Sequence, residues 1–97
     1  MPKYVILVSW TDEGAKSAKE TVSRFQAAKQ LVESKGGTFE TVLWTLGPYD
    51  LVTVTDVPDE ETGTAINLML ASTGNVRTLT MRAFTADEMT GILAKMG

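Results

Sequence analysis

Apolar residues fall on both faces of residues 3–10, KYVILVSW. Tyr4, Ile6, Val8 and Trp10 share one face; Val5, Leu7 and Ser9 share the other. Branched and aromatic side chains favour a strand, and a strand apolar on both sides is a central one, covered twice. Residues 11–20 are polar, include Gly14, and read as a loop or an irregular first helical turn. From 21 to 35 the period lengthens. Val22, Phe25, Ala28, Leu31 and Val32 form one helical stripe, with Arg24, Lys29 and Glu33 turned away. Gly36-Gly37 then stops the helix with a left-handed cap.

Alternation returns at 38–46. Phe39, Thr41, Leu43 and Thr45 lie on one face; Val42, Trp44 and Leu46 lie on the other. Gly47-Pro48-Tyr49-Asp50 makes a turn into a third strand over 51–57, closing a hairpin. Pro58 and Asp59 open a second helix, where Asp59, Glu60 and Glu61 suit the positive end of the helix dipole. Ala65, Ile66, Met69, Leu70 and Thr73 form its buried stripe, and Gly74 ends it. Residues 75–84 read as a fourth strand. Thr85 and Glu88 match a capping box ahead of a short last helix through Ile92 and Leu93.

The order is therefore β-α-β-β-α-β with an extra short C-terminal helix. It defines an α+β, ferredoxin-like fold: a four-stranded antiparallel sheet with two helices on one face and right-handed crossovers. No repeat, low-complexity segment or linker interrupts it, and 97 residues fit one domain, 1–97.

Such a fold leaves one sheet face open, and here that face is not polar. The first strand is apolar on both sides, and the fourth offers Leu79, Met81 and Ala83 on one face. An apolar patch of that extent marks an interface or a ligand surface. Self-association is the expected use, because a chain of this length buries only about two-thirds of its unfolded surface. The alternative is that the C-terminal helix folds across the face.

Composition narrows the chemistry. There is no cysteine, so disulfides, thiol catalysis and thiolate metal sites are excluded. There is no histidine, the commonest general base and transition-metal ligand. A net charge of -3 weighs against nucleic acid or an anionic membrane as partner. No apolar run approaches the roughly 20 residues of a membrane helix. Met1-Pro2-Lys3 runs straight into the first strand, so no signal peptide is expected and a cytoplasmic location is. No metal or other cofactor is expected. The pair Asp12-Glu13 and the run Asp59-Glu60-Glu61 lack calcium-loop spacing. Gly36-Gly37 lacks the lysine and hydroxyl residue of a phosphate loop.

Proline presets the second position of a tight turn, Gly47 tolerates the crowding before it, and Asp50 can bond amides beyond the turn. Turn chemistry thus accounts for Gly47, Pro48 and Asp50. It accounts least for Tyr49. The functional reading has Tyr49 donating a hydrogen bond, and Asp50 accepting one or acting as base, in a pocket at the sheet edge. Trp10 and Trp44 form an aromatic wall there, or else pack in the core or an interface. Arg77 and Arg82 have opposite parity on the fourth strand and point to opposite faces.

These segments resemble the GYD domain family, named for a Gly-Tyr-Asp signature that appears here as Gly47, Tyr49 and Asp50 with Pro48 inside it. The stretch PKYVILVSWTDEGAK resembles the family's opening, WTLGPYD its central motif, and GNVRTLTMRAF its last strand. The resemblance covers nearly the whole chain. It implies a ferredoxin-like fold of the dimeric α/β-barrel kind and carries no established activity.

The expectation is a small homo-oligomeric domain acting as a ligand-binding or assembly module. Its partner is itself, together with a possible small molecule near Tyr49, Asp50, Trp10 and Trp44. One alternative is a cofactor-free enzyme on a small organic substrate, with Asp50 as base. Another is an engineered self-assembling subunit, motivated by Leu68, which widens the apolar stripe of the helix after Pro58.

Overall fold

A computed structural model describes residues 1–97. β1 (Lys3–Trp10) lies inside a four-stranded sheet, between β3 (Leu51–Asp56) and β4 (Val76–Ala83). β2 (Thr38–Trp44) forms the edge beyond β3, giving the order β2-β3-β1-β4 with every neighbouring pair antiparallel. The two apolar faces of β1 follow from that place. Tyr4, Ile6, Val8 and Trp10 look toward the helices, and the intervening residues look the other way.

The helical side carries α1 (Asp12–Lys16), a single 3-10 turn (Ala18–Glu20), α2 (Thr21–Ser34) and α3 (Glu60–Ala71); α4 (Ala86–Ala94) follows β4. The polar stretch after β1 is thus mostly helical. Thr11 caps α1 through the Gly14 N–H at 3.2 Å, and Gly14 is buried against the Asn75 carbonyl, where a Cβ would overlap. Asp59 caps α3 by accepting the Thr62 N–H at 2.7 Å. Thr85 and Glu88 form a reciprocal capping box, with bonds of 2.9 and 3.2 Å. These backbone donors hold the carboxyls of Asp59 and Glu88 below their ordinary values. α2 ends at Ser34, and Gly36, with φ 86°, supplies the left-handed cap beyond it.

Two local features depart from simple periodicity. The register of β2 against β3 runs Phe39 to Thr55 and then Thr41 to Val54, so Glu40 is an inserted bulge residue. The bulge flips the face of everything before it. Phe39 and Trp44, which strict alternation separates, both meet Phe25, at ring-centroid distances of 5.1 and 5.9 Å. Arg24 is the second departure. Instead of facing away it turns back toward the start of the helical segment and donates to the Ser17 and Gly14 carbonyl oxygens at 2.9 and 3.2 Å. Val22, expected on the buried stripe, is exposed.

The fully buried core is small. Val32, Val57 and Ile66 form it, with Tyr4, Leu31, Phe39 and Leu70 packed around them. α2 and α3 meet only briefly over the sheet. α4 does not cover the open sheet face, where Leu43, Leu79 and Met81 stay exposed. No helix is long and apolar enough to cross a membrane.

Candidate functional site

A cavity of about 460 Å³ lies between α2, α3 and the sheet. That size lies within the roughly 300–1,000 Å³ of small-molecule sites. The inward residues of β1 run along its floor: Tyr4, Ile6, Val8 and Trp10. Phe25 and Leu31 of α2 wall one side; Ile66 and Leu70 of α3 wall the other. Threonines flank the floor on both neighbouring strands, Thr53 and Thr55 on β3 and Thr78 and Thr80 on β4. They occupy cavity-facing positions where Val or Ile would be expected.

The polar groups of the wall differ in how they are spent. Thr78 Oγ1 donates to Asn67 Oδ1 at 3.2 Å, and Asn67 Nδ2 reaches Thr80 Oγ1 at 3.4 Å. The Arg24 guanidinium is committed to backbone carbonyls and to Ser17 Oγ. Thr55 Oγ1 has no partner at all, although its residue is only 4 % exposed. No carboxylate lines the cavity.

The turn between β2 and β3 is built by backbone bonds and one carboxylate. Gly47 takes φ +119°, a region that favours glycine. Thr45 N–H donates to the Asp50 carbonyl at 2.8 Å, and Thr45 Oγ1 donates to the Tyr49 carbonyl at 2.6 Å. Asp50 N–H reaches the Val8 carbonyl at 2.8 Å, and Asp50 Oδ2 accepts the Trp10 N–H at 2.8 Å. Asp50 therefore binds the turn to the end of β1, where Trp10 enters the cavity.

The four residues expected to gather around a ligand are distributed differently. Trp10 lines the cavity and Asp50 holds its backbone. Trp44 packs edge-on against Phe25 and donates from Nε1 to Thr21 Oγ1 at 3.0 Å. Tyr49 is half-buried in the turn and Gly47 and Pro48 are exposed; all three lie outside the cavity wall. Sequence reasoning missed Thr55, Asn67 and Arg24. For Thr55 the one signal is the alternating threonines of β3 and β4, whose inward direction follows from the register; nothing local marks Asn67, and the helical period turns Arg24 outward.

On the opposite face of the sheet lie Val5 and Leu7 of β1, Val52 and Val54 of β3, and Leu79 and Met81 of β4. Leu43, Leu79 and Met81 are 57, 49 and 43 % exposed there, far above a packed core. At one end Lys3 Nζ pairs with Glu40 at 2.6 Å and Asp56 at 3.0 Å. Glu40 first, and then Asp56, push the Lys3 ammonium above its ordinary value. Arg82 faces the helical side instead, 4.5 Å from the Phe84 ring centre, and Arg77 takes the other parity.

The sheet order, the helices on one face and the stapled Gly-Pro-Tyr-Asp turn define a small α+β module of the ferredoxin-like type. The chain belongs to the GYD domain family, whose model matches residues 4–93. It is 32% identical over 90 residues to the "Glutamine synthetase and cystathionine beta-lyase binding protein" of Thermus thermophilus, spanning 92% of this chain and 95% of that one. The crystal structure of TTHA0845, also from Thermus thermophilus, superposes with a TM-score of 0.57. It shares 25% identity and covers 89% of this chain and 96% of its own.

Proposed function

We propose that this chain is a self-associating binding module, two copies meeting through their open sheet faces. The observation that carries the reading is the uncovered apolar face of β1, β3 and β4. Its extent is supported by the surface of the whole chain. A folded protein of this mass exposes about 5,400 Å², whereas this one exposes 6324 Å². The excess of about 900 Å² is close to the roughly 800 Å² that each partner contributes to a standard interface. The Cα radius of gyration is 14.6 Å, against about 12.5 Å for a compact chain of this length.

α4 adds to the same surface. Met89, Ile92, Leu93 and Met96 recur at helical spacing and all are exposed. A second copy brought to the sheet face supplies a surface for this stripe as well. Pairing also supplies the apolar burial that the small core of one copy lacks.

Light scattering on Leu79→Glu tests the reading. Leu79 is half-exposed in the single chain, so a charge there leaves the fold intact and strikes only the interface. The wild type is expected at twice the monomer mass and the variant at the monomer mass. A monomeric wild type overturns the proposal.

Binding rather than catalysis fits the site chemistry. The cavity wall has no carboxylate, and the Asp50 carboxylate is engaged by a backbone N–H. A second reading follows from the relative that binds two enzymes: the paired module holds a partner protein. Leu68 and Met69 on α3 favour it, because they are 67 and 44 % exposed on the helical side and stay exposed after the sheets pair. Calorimetry with purified glutamine synthetase is expected to show binding that Leu68→Glu removes. Absence of binding by the wild type overturns that reading.

A further inference from the structure

We infer that the cavity between α2, α3 and the sheet is a binding site for an uncharged, largely apolar small molecule that bears one hydrogen-bonding group, which meets Thr55 Oγ1. The site lies on the opposite side of the sheet from the proposed pairing surface, so it stands or falls separately from self-association.

Four observations carry the assignment. The first is space. About 460 Å³ is open beneath two helices, in a chain whose fully buried apolar residues are only Val32, Leu51, Val57 and Ile66. A closely packed interior keeps few voids larger than a water molecule. The second is lining: aromatic and aliphatic side chains, Tyr4, Trp10, Phe25, Leu31, Ile66 and Leu70, dominate the wall. Water gains little in such a cavity, and apolar molecules enter it readily.

The third is charge. No acid reaches the wall, and its one cation, Arg24, already donates to three oxygens of the α1 segment. Neither a free cation nor a carboxylate meets a partner inside, and burying an unpaired charge is strongly unfavourable. An uncharged ligand is therefore selected. The fourth is the orphan hydroxyl. Buried polar side-chain atoms nearly always have partners, and Thr55 Oγ1 is the one such atom here without one. Its neighbours show what satisfaction looks like: Thr78, Thr80 and Asn67 bond to one another across the β4 side of the same cavity. On the β3 side no protein group fulfils that role; Thr55 Oγ1 is itself closed off from the open space of the cavity, so a ligand donor or acceptor reaches it once the Thr55 side chain turns about its Cα–Cβ bond.

The test uses N-phenyl-1-naphthylamine, an uncharged fluorescent probe, displaced by 2-naphthol or by naphthalene. The wild type is expected to bind the probe, and 2-naphthol to displace it at roughly five- to tenfold lower concentration than naphthalene, the size of one net hydrogen bond. In Thr55→Val, which keeps the shape and removes the hydroxyl, that preference falls to about one. Ala28→Phe fills the cavity from α2 and is expected to weaken probe binding at least tenfold, with circular dichroism confirming the fold. Leu79→Glu, on the far side of the sheet, is expected to leave probe binding within twofold. Failure of the wild type to bind the probe overturns the site. So does binding that Leu79→Glu abolishes and Ala28→Phe spares. A naphthol preference that survives Thr55→Val overturns the assignment of the hydroxyl, and this arm stands even if Ala28→Phe does not fold.

Discussion

The backbone N–H of Trp10 donates to Asp50 Oδ2 at 2.8 Å, just beyond the last paired residues of β1 and β3. A carboxylate thus continues the β1–β3 ladder one step after the pairing of the two strands has ended. An N–H bonded to an ionised acceptor is held more strongly than one in an ordinary ladder. The expected consequence is asymmetric. Asp50→Ala leaves the Trp10 N–H partnerless and is expected to lower stability by about 1–3 kcal/mol. Asp50→Asn keeps an acceptor oxygen and is expected to recover most of the loss. Urea unfolding of the two variants at neutral pH separates them; equal losses would mean that the contact is not what matters at this position.

Two glycines test strain against overlap. Gly47 has φ +119° and open space around its absent Cβ, so Gly47→Ala introduces backbone strain alone. A cost of about 1–2 kcal/mol is expected. A Cβ on Gly14 would overlap the Asn75 carbonyl, a backbone group fixed by the Thr11 N–H bond at 3.1 Å. Gly14→Ala must therefore displace the junction of α1 and β4 and is expected to cost more. Thermal unfolding ranks the two.

Stability should fall at both ends of the pH scale for identifiable reasons. The Thr62 and Thr85 N–H groups hold Asp59 and Glu88 below their ordinary values of 3.8 and 4.5. A depressed carboxyl stabilises the fold above its ordinary value, and that contribution disappears as pH falls through the depressed one. Lys3 is raised above its ordinary 10.5; its contribution is complete below that value and disappears as pH climbs through the raised one. Asn caps a helix about as well as Asp, so Asp59→Asn should match the wild type at neutral pH while flattening the acid limb. Lys3→Met should flatten the alkaline limb. Urea midpoints across the pH range read both.

The architecture was legible because period is set by backbone geometry. A strand apolar on both faces has to lie between neighbours, and Lys3–Trp10 does. The capping box at Thr85 and Glu88 and the stop at Gly36 are equally local, since each needs only a few residues to form. What the sequence hides is set by distant contacts. The bulge at Glu40 changes the face of the residues before it, and the carboxylate of the inserted residue meets Lys3, two strands away. Arg24 turns back because the carbonyls of Gly14 and Ser17, 10 and 7 positions before it, lie within reach of its guanidinium. The cavity is lined from α2, α3 and the sheet together, and no residue pattern within any one element states how far apart they sit. For the same reason Trp10 and Asp50, 40 positions apart in the chain, form a pair, while Trp44 and Tyr49, close to Asp50 in sequence, are placed elsewhere.

The smallness of the core sets a last expectation. Ile66 is 5 % exposed and touches the centre of the buried cluster. Removing its side chain in Ile66→Ala should cost about 2–5 kcal/mol, and Ile66→Val about 0.5–1.5 kcal/mol. A domain of this length has a total stability on the order of 5–15 kcal/mol, and this one, with few buried side chains, belongs at the lower end as a monomer. Ile66→Ala then leaves an appreciable unfolded fraction at low concentration. If two copies pair through their sheets, mass action restores the folded state as concentration rises. The urea midpoint of Ile66→Ala should therefore climb with protein concentration, and that climb should vanish in the double variant Ile66→Ala, Leu79→Glu. A midpoint independent of concentration in both would show that the open face lends the fold no stability.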